Sequence, residues 1–341
     1  TAIDEYAVDV TWEVADKTDI GVDMRLLNNK LNLQFDYFKE SREGIYLRRS
    51  SIPSYVGMIN NPYGNIGKVE NKGFELSVNY ANSWGGDWSL SLMGNYSFNR
   101  NKVLEDDSTV VYPWQNTIGN KVGQRFGLVA LGLFESYGEI AASPVQTGDT
   151  RPGDIKYKDI NGDGKIDEYD KVPIGWGSVP EIMYGFGFSL GWKNLSLTAM
   201  FQGAAHVDAM LSGEGVLPFS QGSSRGNLLS NITDRWTEEN PRQNAFYPRL
   251  SIGNINMNYE ESTWWLKDTD YLRLKNIELS YRLPDHWMKQ CPHLHTGRKP
   301  SHVQLVQDLG RGTRRRTRRP LSEHRLRQSG RKLQFLNTDQ P

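Results

Sequence analysis

Strict alternation of apolar and polar residues is the strongest signal in the first 290 positions and predicts long β-strands. Ile20, Val22, Met24 and Leu26 interleave with Gly21, Asp23 and Arg25, and Leu31, Leu33, Phe35 and Tyr37 interleave with Asn32, Gln34 and Asp36. Only Leu27, Asn28, Asn29 and Lys30 separate these runs, which predicts a hairpin. The pattern recurs at Phe74, Leu76, Val78 and Tyr80, and again at Trp88, Leu90, Leu92, Tyr96 and Phe98, with Ser83-Trp84-Gly85-Gly86 as the turn. A third hairpin joins Ile182 through Trp192 to Leu195 through Phe201 across Lys193-Asn194. A seventh strand is predicted from Tyr271 to Arg282, and its phase slips near Lys275-Asn276, which predicts a bulge.

These runs are about ten residues or longer, against about five or six for the usual globular strand. Tight turns alternate with long excursions at roughly 48–68, 101–181 and 203–263. Short turns on one side and long loops on the other are the arrangement of outer-membrane barrels. Tyr80, Trp84, Trp88 and Trp192 fall beside the short turns, where an aromatic girdle sits, and the opposite face carries Asp, Asn, Glu and Ser, as a hydrated lumen requires. The fold class expected is therefore all-β, the C-terminal part of a large antiparallel transmembrane β-barrel with long extracellular loops. A secreted sandwich with an aromatic core is the alternative that pattern alone leaves open.

Composition narrows the choice. No stretch of the 341 residues approaches the roughly 18 consecutive apolar residues of a spanning helix, and mean hydropathy is −0.62. Ten Trp, sixteen Tyr and twelve Phe exceed what a disordered chain carries, and one Cys rules out a disulfide framework. Thr1 stands where an initiator Met would, with no signal sequence after it, so the chain is expected to start inside a longer protein.

The net charge of zero divides unevenly. Residues 291–341 hold 12 Lys and Arg against 3 Asp and Glu, a charge of +9, which leaves 28 against 37, or −9, for residues 1–290. All ten Trp precede residue 291, and Phe335 is the sole aromatic beyond it. Two parts are expected: barrel at 1–290, and a basic tail at 291–341 outside the barrel.

Three segments carry a family resemblance: Gly67-Lys68-Val69-Glu70-Asn71-Lys72-Gly73-Phe74-Glu75, Tyr271-Leu272-Arg273-Leu274-Lys275-Asn276-Ile277-Glu278-Leu279-Ser280-Tyr281, and the acidic loop 159–170. In this order the chain resembles the C-terminal barrel half of SusC/RagA-type TonB-dependent outer-membrane transporters. The resemblance implies a parent of about 22 strands with an N-terminal plug, energised by the TonB complex. It also implies import of glycan or peptide nutrients with a SusD-like surface lipoprotein as lid, and outer-membrane lipid around the barrel. The segments that would form the plug and TonB box are not among these residues.

The acidic loop reads Asp159-Ile160-Asn161-Gly162-Asp163-Gly164-Lys165-Ile166-Asp167-Glu168-Tyr169-Asp170. Asp159, Asn161, Asp163, Asp167 and Asp170 place side-chain oxygens at loop positions 1, 3, 5, 9 and 12, with the Lys165 carbonyl at 7. That spacing fits a structural Ca²⁺ loop, although Asp stands where a longer Glu usually binds bidentately. An ion-free, Asx-rich turn is the other reading. Catalytic chemistry finds no support, since His206 and His286 have no neighbouring nucleophile and carboxylate in a recognisable arrangement. Trp236, Trp264 and Trp265 suit sugar stacking, with packing or girdle roles favoured.

The arginine run from Arg311 to Arg319 would ordinarily suggest nucleic-acid binding. A displaced reading frame is the expectation preferred here, and no nucleic-acid partner is expected. Codons permitted by Val306 through Gly310, read one base later, give Phe-Lys-Thr-Trp-Asp, and the same offset carried to Leu336-Asn337 reaches a terminal Phe and a stop. On that reading this chain lacks its closing strands and is not competent for transport. The second function class kept open is a secreted, calcium-stabilised carbohydrate-binding β protein, and the third a DNA-binding product of the tail.

Overall fold

The computed structural model describes residues 10–219, 228–253, 255–282, 302–308 and 332–334. One antiparallel sheet of nine strands dominates: β1 (Val14–Leu26), β2 (Leu31–Arg48), β3 (Tyr63–Trp84), β4 (Trp88–Glu105), β5 (Ile182–Trp192), β6 (Leu195–Ala205), β7 (Tyr271–Arg282), β8 (His302–Asp308) and β9 (Lys332–Gln334). Neighbours in sequence are neighbours in the sheet throughout. Among the described residues the only α-helix is Tyr137–Ala141, and no helix is long and apolar enough to cross a membrane. The all-β expectation holds.

The turns form where the sequence allows a left-handed backbone. Gly85 and Gly86 close the β3–β4 hairpin at φ +59° and +77°, angles that side chains disfavour. The bulge lies where the phase slips: Met200 pairs with Asn276 and Phe201 with Leu274, leaving Lys275 as the extra residue. Strands β2, β3 and β4 run well past their alternating stretches, because each finds a paired neighbour along its upper length. Gly73 shows the cost of that length: any Cβ there would meet the Phe98 carbonyl and the Phe38 ring, which covers the glycine from the polar face.

Register places like residues in rows across the strands. The lowest outward row is Trp84, Trp88, Trp192, Leu195 and Tyr281, and the highest apolar row is Ile20, Tyr37, Phe74, Phe98 and Ile182. Between them Phe74 contacts Phe35, Tyr96 and Phe98 at centroid distances of 5.7–6.0 Å, and Phe186 stacks on Phe201 at 5.0 Å. From Phe74 to Trp84 the strand rises about 33 Å at about 3.3 Å per residue. A tilt of about 40° brings this near the roughly 25 Å height of the apolar band on a membrane barrel. This face is open: Leu76 is 37% exposed, Phe186 45% and Trp192 46%. A soluble sandwich would bury such a face, so the sandwich alternative fails.

The last two strands depart from expectation. β8 pairs antiparallel with β7, from Asn276↔Asp308 to Arg282↔His302, and β9 pairs with β8. Residues 291–341 were expected to add no strand. The edge of β7 is a template of unpaired backbone groups, and the alternation of Val303 and Leu305 with Gln304 suits it. The run Arg311–Arg319 lies outside the described residues.

Candidate functional site

The polar face and the loops above it form the candidate site. One row on that face comprises Gln34, Ser77, Asn95, Gly185 and Gln202, and the row above begins Asp36, Glu75, Ser97. They line a hollow of about 530 Å³, in which Ser97 donates to Glu75 at 3.2 Å. Gly185 leaves room there, since a Cβ at that position would press on the Asn95 amide. A wall of carboxylates, amides and hydroxyls at this spacing keeps water on the sheet and offers hydrogen bonds to a polar solute.

The two long excursions fold together above the strands. Leu128, Leu133, Ile155, Tyr157, Ile166, Leu217, Trp236, Ala245, Tyr247 and Trp265 form a buried core, so the loops are built to hold a shape. At its edge the Asp154 carboxylate, 1% exposed, accepts from Arg249 at 2.9 and 2.8 Å, Asn256 at 3.2 Å, Asn258 at 2.8 Å and the Arg151 amide at 2.8 Å. Burial pushes the Tyr157 phenol well above its ordinary value, and its hydroxyl donates to the Met257 carbonyl at 2.8 Å. Trp265 is 1% exposed and donates to the Asn258 carbonyl at 2.7 Å, and Trp236 is 5% exposed. These two are packing residues, and stacking of a sugar on them is excluded by burial.

A second anchor ties the loops to the strand tops. Glu181, 4% exposed, receives Arg100 at 2.6 and 2.9 Å, Lys121 at 2.8 Å and His206 Nδ1 at 3.1 Å. Burial alone would raise its pKa, yet the hydrogen bonds from these three groups hold it down to about 2. Trp176 stacks on His206 at 4.0 Å between centroids, with Lys121 Nζ 5.0 Å from the Trp176 ring. Sequence reasoning missed both Asp154 and Glu181, because their partners lie 81–104 residues away or across strand tops. His286 lies outside the described residues.

The acidic loop is ordered by its own backbone. Asp159 accepts from the Gly162 and Gly164 amides at 2.6 and 2.9 Å, Asn161 from Asp163 at 3.0 Å, and Asp163 from Lys165 at 2.8 Å. Asp167 accepts from Tyr169 at 2.8 Å, while buried Asp170 accepts from Ile160 at 2.7 Å and Asp167 at 2.9 Å. Lys165 and Ile166 pair in parallel with Val145 and Gln146. The donor set is hard oxygen throughout, and Gly164 turns at φ +83°, both of which suit a cation loop. Among the described residues, however, no group of three or more His, Cys, Asp or Glu stands close enough to hold a metal ion.

Comparison with known proteins agrees with this architecture. A family model described as TonB dependent receptor-like, beta-barrel, matches residues 3–297. TonB-dependent receptor P3 of Formosa agariphila is 28% identical over 290 residues, covering 81% of this chain and 28% of the relative. TonB-dependent receptor SusC of Bacteroides thetaiotaomicron is 24% identical over 294 residues, covering 82% and 27%. The RagAB peptide importer in its closed-closed state superposes with a TM-score of 0.59 at 19% identity, over 87% of this chain and 31% of that one. The chain thus spans less than a third of the proteins it matches.

Proposed function

The chain belongs to the TonB-dependent receptor β-barrel family of outer-membrane transporters rather than enzymes, and from that premise we propose that the whole protein imports glycan or peptide fragments. This segment would supply one wall of the pore and part of its extracellular mouth. The observation that carries the reading is the two-faced sheet: an open apolar band about 25 Å tall behind a wall of Gln34, Asp36, Glu75, Asn95 and Gln202. A polar wall with a folded loop roof is what a hydrated solute needs on its way inward. We propose a SusD-like surface lipoprotein over the loops and the TonB complex as energy source, following the kinship with SusC and with the RagAB peptide importer.

Uptake of labelled oligosaccharides and oligopeptides by cells with and without the full-length protein tests the cargo. Affinity purification from the outer membrane tests the lid. Loss of neither uptake on deletion, or recovery of the barrel with no surface lipoprotein, would refute the respective part. A structural Ca²⁺ in loop 159–170 belongs to the same proposal, with Asp159, Asn161, Asp163, Asp167, Asp170 and the Lys165 carbonyl as its holders. Support comes from their oxygen chemistry and the turn at Gly164; the ion would brace the loop roof and take no part in transport. Residues 291–341 we read as text from a displaced frame, within which β8 and β9 still pair along the edge left open by β7.

A further inference from the structure

The outward face changes character abruptly above its highest apolar row. Two residues beyond Ile20, Tyr37, Phe74 and Phe98, the next row is Thr18, Lys39, Lys72 and Arg100, paired strand to strand in register. It carries three cations and no acid. The stacking of Phe74 with Phe35 and Phe98 fixes this as the outward face, and the Arg100 guanidinium lies 5.4 Å from the Phe98 ring on that same side. Lys39, Lys72 and Arg100 side chains are 47%, 56% and 44% exposed.

Position gives the row its meaning. The apolar band is about 25 Å tall, and two further residues lift the cations about 5 Å above it along a tilted strand. That is the depth of lipid headgroups, on the side of the long loops and hence outside the cell. The internal partners leave charge over. Glu70, one row higher, divides one carboxylate between Lys39 at 2.8 Å and Lys72 at 3.4 Å, and Glu181 serves both Arg100 and Lys121. Lys39 and Lys72 against the one Glu70 carboxylate leave a net +1 on this face, and Arg100 stays 44% exposed beside its Glu181 partner. A row of cations serves solubility too, but solubility gives no reason to exclude acids from this row while the next row mixes Asp16 and Glu70 with Lys102.

We propose that Lys39, Lys72 and Arg100 form a docking site for the phosphate-bearing headgroup of an outer-leaflet glycolipid. Phosphate oxygens match ammonium and guanidinium donors, the acyl chains lie against Phe35, Leu76 and Phe98 beneath, and basic clusters at a membrane boundary bind anionic headgroups with about 1 kcal/mol per cation. The proposal rests on the membrane-spanning reading, and heat-modifiable migration of the same samples tests that reading separately.

The experiment uses the full-length protein in nanodiscs containing lipid A, or lipid A stripped of its phosphates, with retained glycolipid counted by native mass spectrometry. Phosphorylated lipid A should be retained in preference to the stripped form. The double substitution Lys39→Gln and Lys72→Gln should weaken retention about thirtyfold, Lys39→Arg with Lys72→Arg should preserve it, and Lys17→Gln on the polar face should leave it unchanged. Equal retention by the double Gln variant overturns the proposal. Equal retention of the two lipids by the unaltered protein overturns it as well, whether or not the variant folds.

Discussion

Replacing Asp154 by Ala should open the loop roof while leaving the strands in place. The carboxylate is 1% exposed and is the common acceptor for Arg249, Asn256, Asn258 and the Arg151 amide. Hydrogen bonds to a charged group contribute about 1.5–3 kcal/mol each, but they share one acceptor and do not add. Breaking a buried pair by removing one partner costs about 3–5 kcal/mol, because the other charge stays buried. Arg249 is 19% exposed, so about 4 kcal/mol is the expected loss in the free energy of closing the loops. When opening is fast relative to cleavage, proteolysis follows the open population, and about 4 kcal/mol corresponds to about a thousandfold faster nicking. Trypsin on outer membranes, followed by mapping of cuts within residues 135–260, gives the rate. Replacing both partners, Asp154→Leu with Arg249→Met, should cost less than either single change, since no buried charge is left alone. Unchanged nicking in Asp154→Ala, or loss of heat-modifiable migration together with faster nicking, would refute the separation of loop roof and sheet.

Three further predictions follow from the same structure. Glu181→Gln leaves Arg100 and Lys121 side by side and should cost about 2 kcal/mol, discounted because Arg100 is 44% exposed. Since the folded carboxyl titrates at about 2, below its ordinary value, its contribution is present above about pH 4.5 and disappears as pH falls toward 2; urea titrations of the two proteins should converge over that range and stay parallel if the assignment is wrong. Calorimetry on the full-length protein should show one Ca²⁺ bound and Asp163→Ala should abolish it; no uptake, or uptake unchanged by the substitution, defeats the calcium loop. Finally, full-length protein carrying the tail read in the displaced frame should reach the outer membrane better than the present sequence, because Arg on a lipid-facing position costs about 2–4 kcal/mol at the midplane. Equal assembly of the two would show the basic tail to be a true part of the protein.

What the sequence disclosed was whatever has a short period. Alternation located the strands, Gly85-Gly86 located a turn, and the phase slip near Lys275-Asn276 located the bulge to within a residue or two. The upper ends of β2, β3 and β4 were hidden, since Lys68 through Gly73 are strand only because Ser41, Glu40 and Asn99 pair with them. The loop core was hidden for a related reason. Asp154 and Asn258 meet across 104 residues, and Trp264 and Trp265 look alike in sequence although only Trp265 is enclosed. Such contacts come from tertiary packing, which no local pattern encodes. In the tail, local alternation at Val303 and Leu305 outweighed composition, and an open edge recruited it.

The central claim, that one face of this sheet lies in lipid and the other in water, is tested most directly by cysteine accessibility. In full-length protein with Cys291 replaced by Ser, single cysteines at Leu76 and Phe186 probe the outward face, and at Ser77 and Gln202 the polar face. A water-soluble maleimide applied to outer-membrane preparations should modify Ser77→Cys and Gln202→Cys and spare Leu76→Cys and Phe186→Cys. Modification of all four at similar rates would place both faces in water and contradict the account.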